Sequence, residues 1–317
     1  MKITVLLHGQ WNNCITKEII ETLRDEYARQ NTRMVLDVVI VSYVRDMEEL
    51  NSCLKETGDV GFPIRIIEVK DLFNQGFYNV NRQIYTVRKG LENIGPDQFV
   101  VKLRNDQIVS FRKLFYLLRR LKYFREGDRK FLTTNCYTRK YRLYHPSDMF
   151  LCGWRDDLLQ YYSAPLMQET SAEWKLKMLQ NIEADPANFE VRYRSPESYL
   201  FSHYLESEGW ELKGTSEDSF EAIRTYFYVA NSWDIDFRWN KARVPGRKAG
   251  NLVLPTSGKC PPFGWDTPIC DSNGNLYWEM DGCYERSDFT GKRTKKDAYY
   301  VELAERLFAE LLRKMGR

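Results

Sequence analysis

The sequence predicts an α/β fold: an open, mostly parallel sheet flanked by helices. Apolar runs rich in β-branched residues recur at 3–7, 35–41, 64–69 and 99–103, the pattern of strands buried on both faces. Segments of helical period separate these runs, so the order reads β-α-β-α-β-α-β. The strands end in short polar loops, and open sheets of this kind bind ligands outside the carboxyl ends of their strands. At 317 residues the chain can bury a large core in one domain or two.

The first strand closes on His8, Gly9, Gln10, Trp11, Asn12 and Asn13. A polar loop with a glycine at this place is where doubly wound sheets hold nucleotides. The plainer reading is an ordinary turn with a satisfied histidine. Thr16 is placed to cap a helix that turns Ile19, Ile20, Leu23 and Tyr27 inward. The second strand ends at Ser42 and Tyr43, a helix follows around Met47 to Leu54, and the third strand closes on Asp71.

The stretch 79–106 is the centre of the pattern. Val80, Ile84, Val87 and Leu91 share one helical face, and Asn79, Arg82, Gln83 and Thr86 share another. A merely solvated face usually carries Lys and Glu, whereas this one carries short hydrogen-bonding groups and one Arg fork. Gly90 reads as the helix stop, with Gly95 and Pro96 as the turn. In the strand that follows, a period of two sets Lys102, Arg104 and Asp106 on one side and Val101 and Leu103 on the other. Charges on a strand covered on both faces need partners or a ligand. A structural ion-pair network, a polyanion site and a metal site all satisfy that need.

After Asp106 a basic amphipathic helix alternates Arg112, Lys113, Arg119, Arg120, Lys122 and Arg125 with Phe111, Leu114, Phe115, Leu117, Leu118 and Leu121. It reads as a packed helix with a solvated face, with contact to an anionic membrane surface as the second reading. A fifth strand is expected at 131–135, and Ser195 and Pro196 open a further helix that buries Tyr199, Leu200, Tyr204 and Leu205. Beyond about Gly214 the chain becomes rich in aromatics, Gly and Pro, with Trp233, Trp239, Trp265 and Trp278. Such a region staples an irregular subdomain or stacks on sugar rings. Ala304, Leu307, Leu311 and Met315 form the docking face of a terminal helix.

Lys+Arg 47 against Asp+Glu 44 gives a net charge of +3, too small to argue for a nucleic-acid partner. No apolar run approaches the length needed to span a bilayer, and the first strand begins without a signal-peptide pattern. Seven cysteines without a tight Cys-x-x-Cys pair fit reduced, mostly structural thiols in a cytoplasmic protein.

Several pieces stand in a recognisable order: His8-Gly9-Gln10, Ser42 at the end of the second strand, Asn79-Val80-Asn81-Arg82-Gln83, Lys102-Leu103-Arg104-Asn105-Asp106, Ser147-Asp148-Met149-Phe150 with Gly153, and Pro196-Glu197-Ser198-Tyr199-Leu200. Over roughly residues 1–205 the chain thereby resembles the WavE-like family of bacterial lipopolysaccharide and capsule synthesis proteins, which look like glycosyltransferases of the GT-A type. The resemblance implies a catalytic domain over 1–213 and an aromatic-rich acceptor or lid region over 214–317. It also implies a nucleotide-sugar donor held by His8, Gly9, Gln10, Asn79, Arg82, Gln83, Thr86, Lys102, Arg104 and Asn105. The acceptor would be a glycan or lipid-linked glycan, with peripheral contact at the cytoplasmic face of the inner membrane.

Glycosyltransferases of this type usually hold a divalent cation, Mg²⁺ or Mn²⁺, through an Asp-x-Asp motif on this strand. The matching triplet here is Arg104-Asn105-Asp106, so Asp106 is left as the metal ligand and an arginine replaces the first carboxylate. The alternative is that Arg104 and Lys102 neutralise the leaving diphosphate without metal. Glu197 and Asp148 are the candidates for a general base. Two further readings use the same residues: transfer of a phosphorylated group from a nucleotide-activated donor, and a catalytically silent glycan- or nucleotide-binding module.

Overall fold

In the computed structural model the described residues are 2–9, 11, 13–28, 35–121, 129–134, 136, 138, 143–170, 172–174, 189–193, 195–230, 232–240, 252–253, 268–270 and 276–278. The strands are β1 (Lys2–His8), β2 (Val35–Tyr43), β3 (Ile64–Val69), β4 (Phe99–Arg104), β5 (Gln107–Ile108), β6 (Phe131–Thr134), β7 (Leu151–Trp154), β8 (Phe227–Ala230) and β9 (Arg238–Asn240). The helices are α1 (Asn13–Ala28), α2 (Met47–Thr57), α3 (Val80–Glu92), α4 (Phe111–Arg120), α5 (Arg155–Tyr161), α6 (Pro196–Ser207) and α7 (Ser216–Tyr226).

Seven strands form one sheet in the order β3-β2-β1-β4-β7-β6-β8. The half from β3 to β4 is parallel throughout; β7 runs antiparallel to both neighbours, and β8 returns parallel to β6. The mostly parallel open sheet expected from the sequence is thus present. The sheet does not end near residue 214, because β8 pairs with β6 and α7 places Ala222 and Ile223 in the same core. A small second sheet joins β5, β9 and Leu252–Val253, and Pro268–Cys270 pairs with Leu276–Trp278.

Strand pleating divides the core in two. Ile3, Val5 and Leu7 face one side, with Ile19, Leu23, Leu50, Leu114 and Leu118 from α1, α2 and α4. Leu6 faces the other, with Ile84, Val87 and Leu91 of α3, Leu158 of α5 and Leu200 of α6. The basic helix α4 is therefore a packed helix, its apolar side inward and Arg112 and Arg119 outward. Its expected continuation through Lys122 and Arg125 lies outside the described residues. So do most of the aromatic loop and the terminal helix.

Three local expectations are corrected. Thr16 is not a cap: α1 begins three residues earlier, and Thr16 sits buried inside it with Oγ1 3.5 Å from the Asn105 carbonyl oxygen. Gly90 does not stop α3, which runs on to Glu92. A Cβ at Gly90 would stand 2.3 Å from Leu6 Cδ1, so the glycine is there to let α3 lie close on β1. The expectation of reduced thiols holds for the buried Cys53 and Cys152 and not for Cys136, which is disulfide-bonded. Ser195 does cap α6, accepting from the Ser198 amide at 3.1 Å with Pro196 in the first turn.

Candidate functional site

The sheet reverses its order of growth between β1 and β4: β2 and β3 lie on one side of β1, and β4 on the other. At such a switch point the loops diverge and leave a crevice at the carboxyl edge. His8 and Arg104 are register partners there, the last residues of their strands. Gly9 follows with φ +101, a conformation L side chains rarely adopt. Asn105 binds the two loops together, its amide N–H donating to the His8 carbonyl at 2.9 Å and its side chain to the Gly9 carbonyl at 3.0 Å. Gln10 lies outside the described residues.

The polar face of α3 reaches three separate walls of this crevice. Thr86 Oγ1 meets His8 Nδ1 at 3.1 Å. Gln83 donates to the Asp148 carboxylate at 2.5 Å. Arg82 holds the Asp71 carboxylate beyond β3, with Nε at 2.7 Å, and this pairing keeps the Asp71 carboxyl below its usual range. Asn79 has left-handed backbone (φ 65), and its side-chain oxygen lies 3.3 Å from Arg82 Nη1. All four residues predicted from the helical period therefore lie on one connected face. Asp71 joins them, with Arg45 donating to it at 2.9 Å and lying over the Tyr43 ring. The sequence marked Asp71 only as the residue closing the third strand.

The charges expected on one strand face divide between two roles, and Asp106 lies not on β4 but in the turn between β4 and β5. Lys102 is fully buried; its ammonium donates to the carbonyl oxygen of Asp148 and to that of Met149 at 3.3 Å. Burial, opposed by the Asp148 charge, brings its pKa down to about 8. Lys102 thus stands behind the site as a fixed charge and does not line the crevice. Arg104 and Asp106 form a two-pronged ion pair, Nε to Oδ1 at 3.0 Å and Nη2 to Oδ2 at 2.9 Å, and Gln107 accepts from the Arg104 amide at 3.0 Å.

Glu197, in the first turn of α6, has Oε2 3.5 Å from Nε2 of the buried His145. Both Asp148 and Glu197 act on the Lys102 charge and on the buried Tyr162 hydroxyl, so the two candidate bases share one neighbourhood.

Among the described residues, four buried polar atoms at this edge have no hydrogen-bond partner: Ser42 Oγ, His8 Nε2, Asn105 Oδ1 and Gln107 Nε2. They belong to the ends of β2 and β1, the loop after β4 and the start of β5. Leaving one such group unsatisfied costs about 1–3 kcal/mol. Water, an ion or a ligand completes the bonding of such groups. Among the described residues no helix is long and apolar enough to cross a membrane.

Residues 67–194 match the family model described as WavE lipopolysaccharide synthesis. The matched segment holds Asp71, α3, β4, Asp106 and Asp148, and it bears out the resemblance drawn from the residues. His8 and Glu197 lie outside it. No curated protein sequence matches the chain. Among solved structures it is similar to the galactosyltransferase LgtC in complex with donor and acceptor sugar analogues, at 13% identity and TM-score 0.35, covering 73% of this chain and 74% of that one. Glucosyl-3-phosphoglycerate synthase from Mycobacterium tuberculosis, in complex with Mn²⁺, UDP and phosphoglyceric acid, is similar at 12% identity and TM-score 0.34, covering 58% of this chain and 65% of that one. The mannosyltransferase PcManGT from Pyrobaculum calidifontis, in complex with GDP-Man and Mn²⁺, is similar at 10% identity and TM-score 0.36, covering 70% and 75%.

Proposed function

We propose that this chain is a glycosyltransferase that moves a sugar from a nucleotide-sugar donor to a growing bacterial surface polysaccharide, lipopolysaccharide or capsule. The observation that carries the reading is the WavE family match over α3 and β4, the two elements that wall the switch-point crevice.

In this reading the donor diphosphate lies against Arg104 and the loops of His8, Gly9 and Asn105. The acceptor hydroxyl attacks the anomeric carbon while the bond from that carbon to the diphosphate oxygen breaks. The diphosphate leaves with the bonding pair, and in an inverting transfer Glu197 or Asp148 takes the hydroxyl proton. The acceptor is a glycan or lipid-linked glycan. The outward side of α4, with Arg112 and Arg119, is the face that would meet an anionic membrane on the cytoplasmic side. Flotation with anionic and neutral vesicles tests that contact.

The resemblance implies a divalent cation with Asp106 as its protein ligand. Hard cations bind through carboxylate oxygens, yet both oxygens of Asp106 face the Arg104 fork. Among the described residues no group of three or more His, Cys, Asp or Glu is arranged to hold a metal. These side chains do not fit a dedicated cation site, and no step of the reaction above is routed through one.

Thermal shift with a panel of nucleotide-sugars, followed by mass analysis of the products on a lipopolysaccharide acceptor, tests the function. A sugar added to the acceptor is the expected product. A phosphodiester product, or binding without turnover, overturns the reading.

A further inference from the structure

We propose that the donor diphosphate is neutralised here by the Arg104 guanidinium, with Asp106 as its orienting carboxylate, in place of a divalent cation. The inference rests on the nucleotide-donor reading above.

The first observation is the fork. Arg104 meets both oxygens of Asp106, at 3.0 and 2.9 Å, in the planar two-bond geometry that fixes a guanidinium in direction as well as in place. A cation seated on Asp106 would stand close to this guanidinium and be repelled by it. Arg104 is also the outer partner, its side chain 42% exposed against 15% for Asp106. An incoming phosphate therefore meets the guanidinium before the carboxylate. A guanidinium carries five N–H donors, so holding a carboxylate with two of them and meeting a phosphate lies within its geometry.

The second observation is the sign of the field at this edge. Lys102 stands directly behind Arg104 on the same strand, fully buried, its hydrogen bonds going to neutral carbonyls. Among the described residues no carboxylate is hydrogen-bonded to it, and Asp148, Asp106 and Glu197 offset its charge without that contact. His8, register partner of Arg104, is held neutral, first by burial and then by the charges of Lys102 and Arg104. Lys102 and Arg104 both act on His8 in the sense that disfavours a further positive charge there, after burial as the larger cause.

The third observation is the donor set. Asp106 is the one carboxylate of the Arg104-Asn105-Asp106 triplet. Asn105, between the two charged residues, gives its side-chain N–H to the Gly9 carbonyl, which closes the loop, and offers only the neutral Oδ1 besides. A cation would find one carboxylate already faced by a guanidinium, and one neutral amide oxygen. A diphosphate finds an oriented guanidinium beside a buried ammonium.

Calorimetric titration of UDP, GDP, ADP and dTDP, each in EDTA and in Mn²⁺, tests this on the full chain. The expectation is that the best-bound nucleotide has the same affinity, within about three-fold, in both conditions. Arg104→Ala should weaken it at least about ten-fold in both, the scale of a lost charge-assisted hydrogen bond. Arg104→Lys, which keeps the charge and loses the fork, should recover part of that loss. Asp106→Asn should weaken binding equally in EDTA and Mn²⁺, because it acts through the orientation of Arg104. The proposal is overturned if Mn²⁺ raises the affinity ten-fold or more and Asp106→Asn abolishes only that gain. Absence of binding by all four nucleotides in both conditions overturns the nucleotide-donor reading itself, a different result. Circular dichroism of each variant confirms that the fold is intact.

Discussion

Thr86 Oγ1 stands 3.1 Å from Nδ1 of His8 and lies 2.8 Å from the Arg82 carbonyl oxygen, to which it donates. A hydroxyl has one hydrogen, so toward His8 it can only accept. With that hydroxyl donating to Arg82, His8 takes the tautomer with its proton on Nδ1, and its buried Nε2 has no partner among the described residues. A helix residue thus sets the tautomer of a strand-end histidine across the crevice.

This arrangement makes stability pH-dependent in a known direction. The His8 pKa is held well below the usual 6.5 by burial, then by Lys102 and Arg104. In the unfolded chain the imidazole binds its proton near pH 6.5, while the folded protein still excludes it. The stabilisation is complete above that value and is lost as pH falls from 6.5 toward the folded pKa, at roughly 1.4 kcal/mol per pH unit. Urea unfolding at pH 7 and pH 5 should show the loss in the unmodified protein and a smaller one in His8→Asn. Equal losses in the two proteins would place the effect elsewhere.

Gly90→Ala tests helix propensity against packing. In an exposed helix the change would gain about 1 kcal/mol. Here the new Cβ would meet Leu6 Cδ1 at 2.3 Å and Val41 Cγ2 at 3.0 Å, both on buried side chains. Overpacking of this kind costs about 1–3 kcal/mol, so the expected sign is destabilisation. A raised melting temperature would show that α3 can lift from β1 at little cost.

The polar helix face was legible in the sequence because helical period alone groups Asn79, Arg82, Gln83 and Thr86. What period cannot supply is the partner, since Asp71, Asp148 and His8 come from distant parts of the chain. The strand alternation that grouped Lys102 and Arg104 was equally readable, but β4 ends at Arg104 and Asp106 lies in the turn after it, where its pairing with Arg104 is not a matter of strand period. Depth separated their roles: Lys102 lies in the sheet interior, and Arg104 at its rim. Gly90 was misread because a glycine near a helix end usually stops it, and a close β1 neighbour leaves no local trace. His145 could not be assigned, as its nearness to Glu197 depends on where α6 docks.

Asn81 stands inside the motif that carries the family resemblance, yet its side chain faces away from the crevice partners. It donates to the Met167 and Asn74 carbonyls at 2.9 and 3.2 Å and accepts from the Met167 amide at 2.7 Å. It latches the loop before α3 to the segment after α5. Asn81→Ala should cost about 2–4 kcal/mol, because buried main-chain groups at Met167 lose their partners. Chemical denaturation measures it. A loss under about 1 kcal/mol would mean that the latch is not a stability element.

The assignment of the base separates two carboxylates by their surroundings. Asp148 is bound on both sides: its carboxylate accepts from Gln83 at 2.5 Å, and its carbonyl holds Lys102. Glu197 sits at the start of α6, where the helix dipole favours a carboxylate, with Oε2 3.5 Å from His145 Nε2. A base must accept a proton and be re-formed in each turnover, which suits Glu197 better than a carboxylate committed to a structural amide. Glu197→Gln is therefore expected to lower kcat by about 10²–10⁴-fold, the usual worth of general-base catalysis. Donor Kd should barely change, because the side chain acts on the acceptor. The stability loss should stay within about 1 kcal/mol, the scale of a lost charge–dipole contact. Asp148→Asn should instead show its main effect as a lower melting temperature. Measuring kcat, donor Kd and melting temperature on both variants decides the matter: a turnover loss confined to Asp148→Asn, at unchanged donor affinity, would move the base from Glu197 to Asp148.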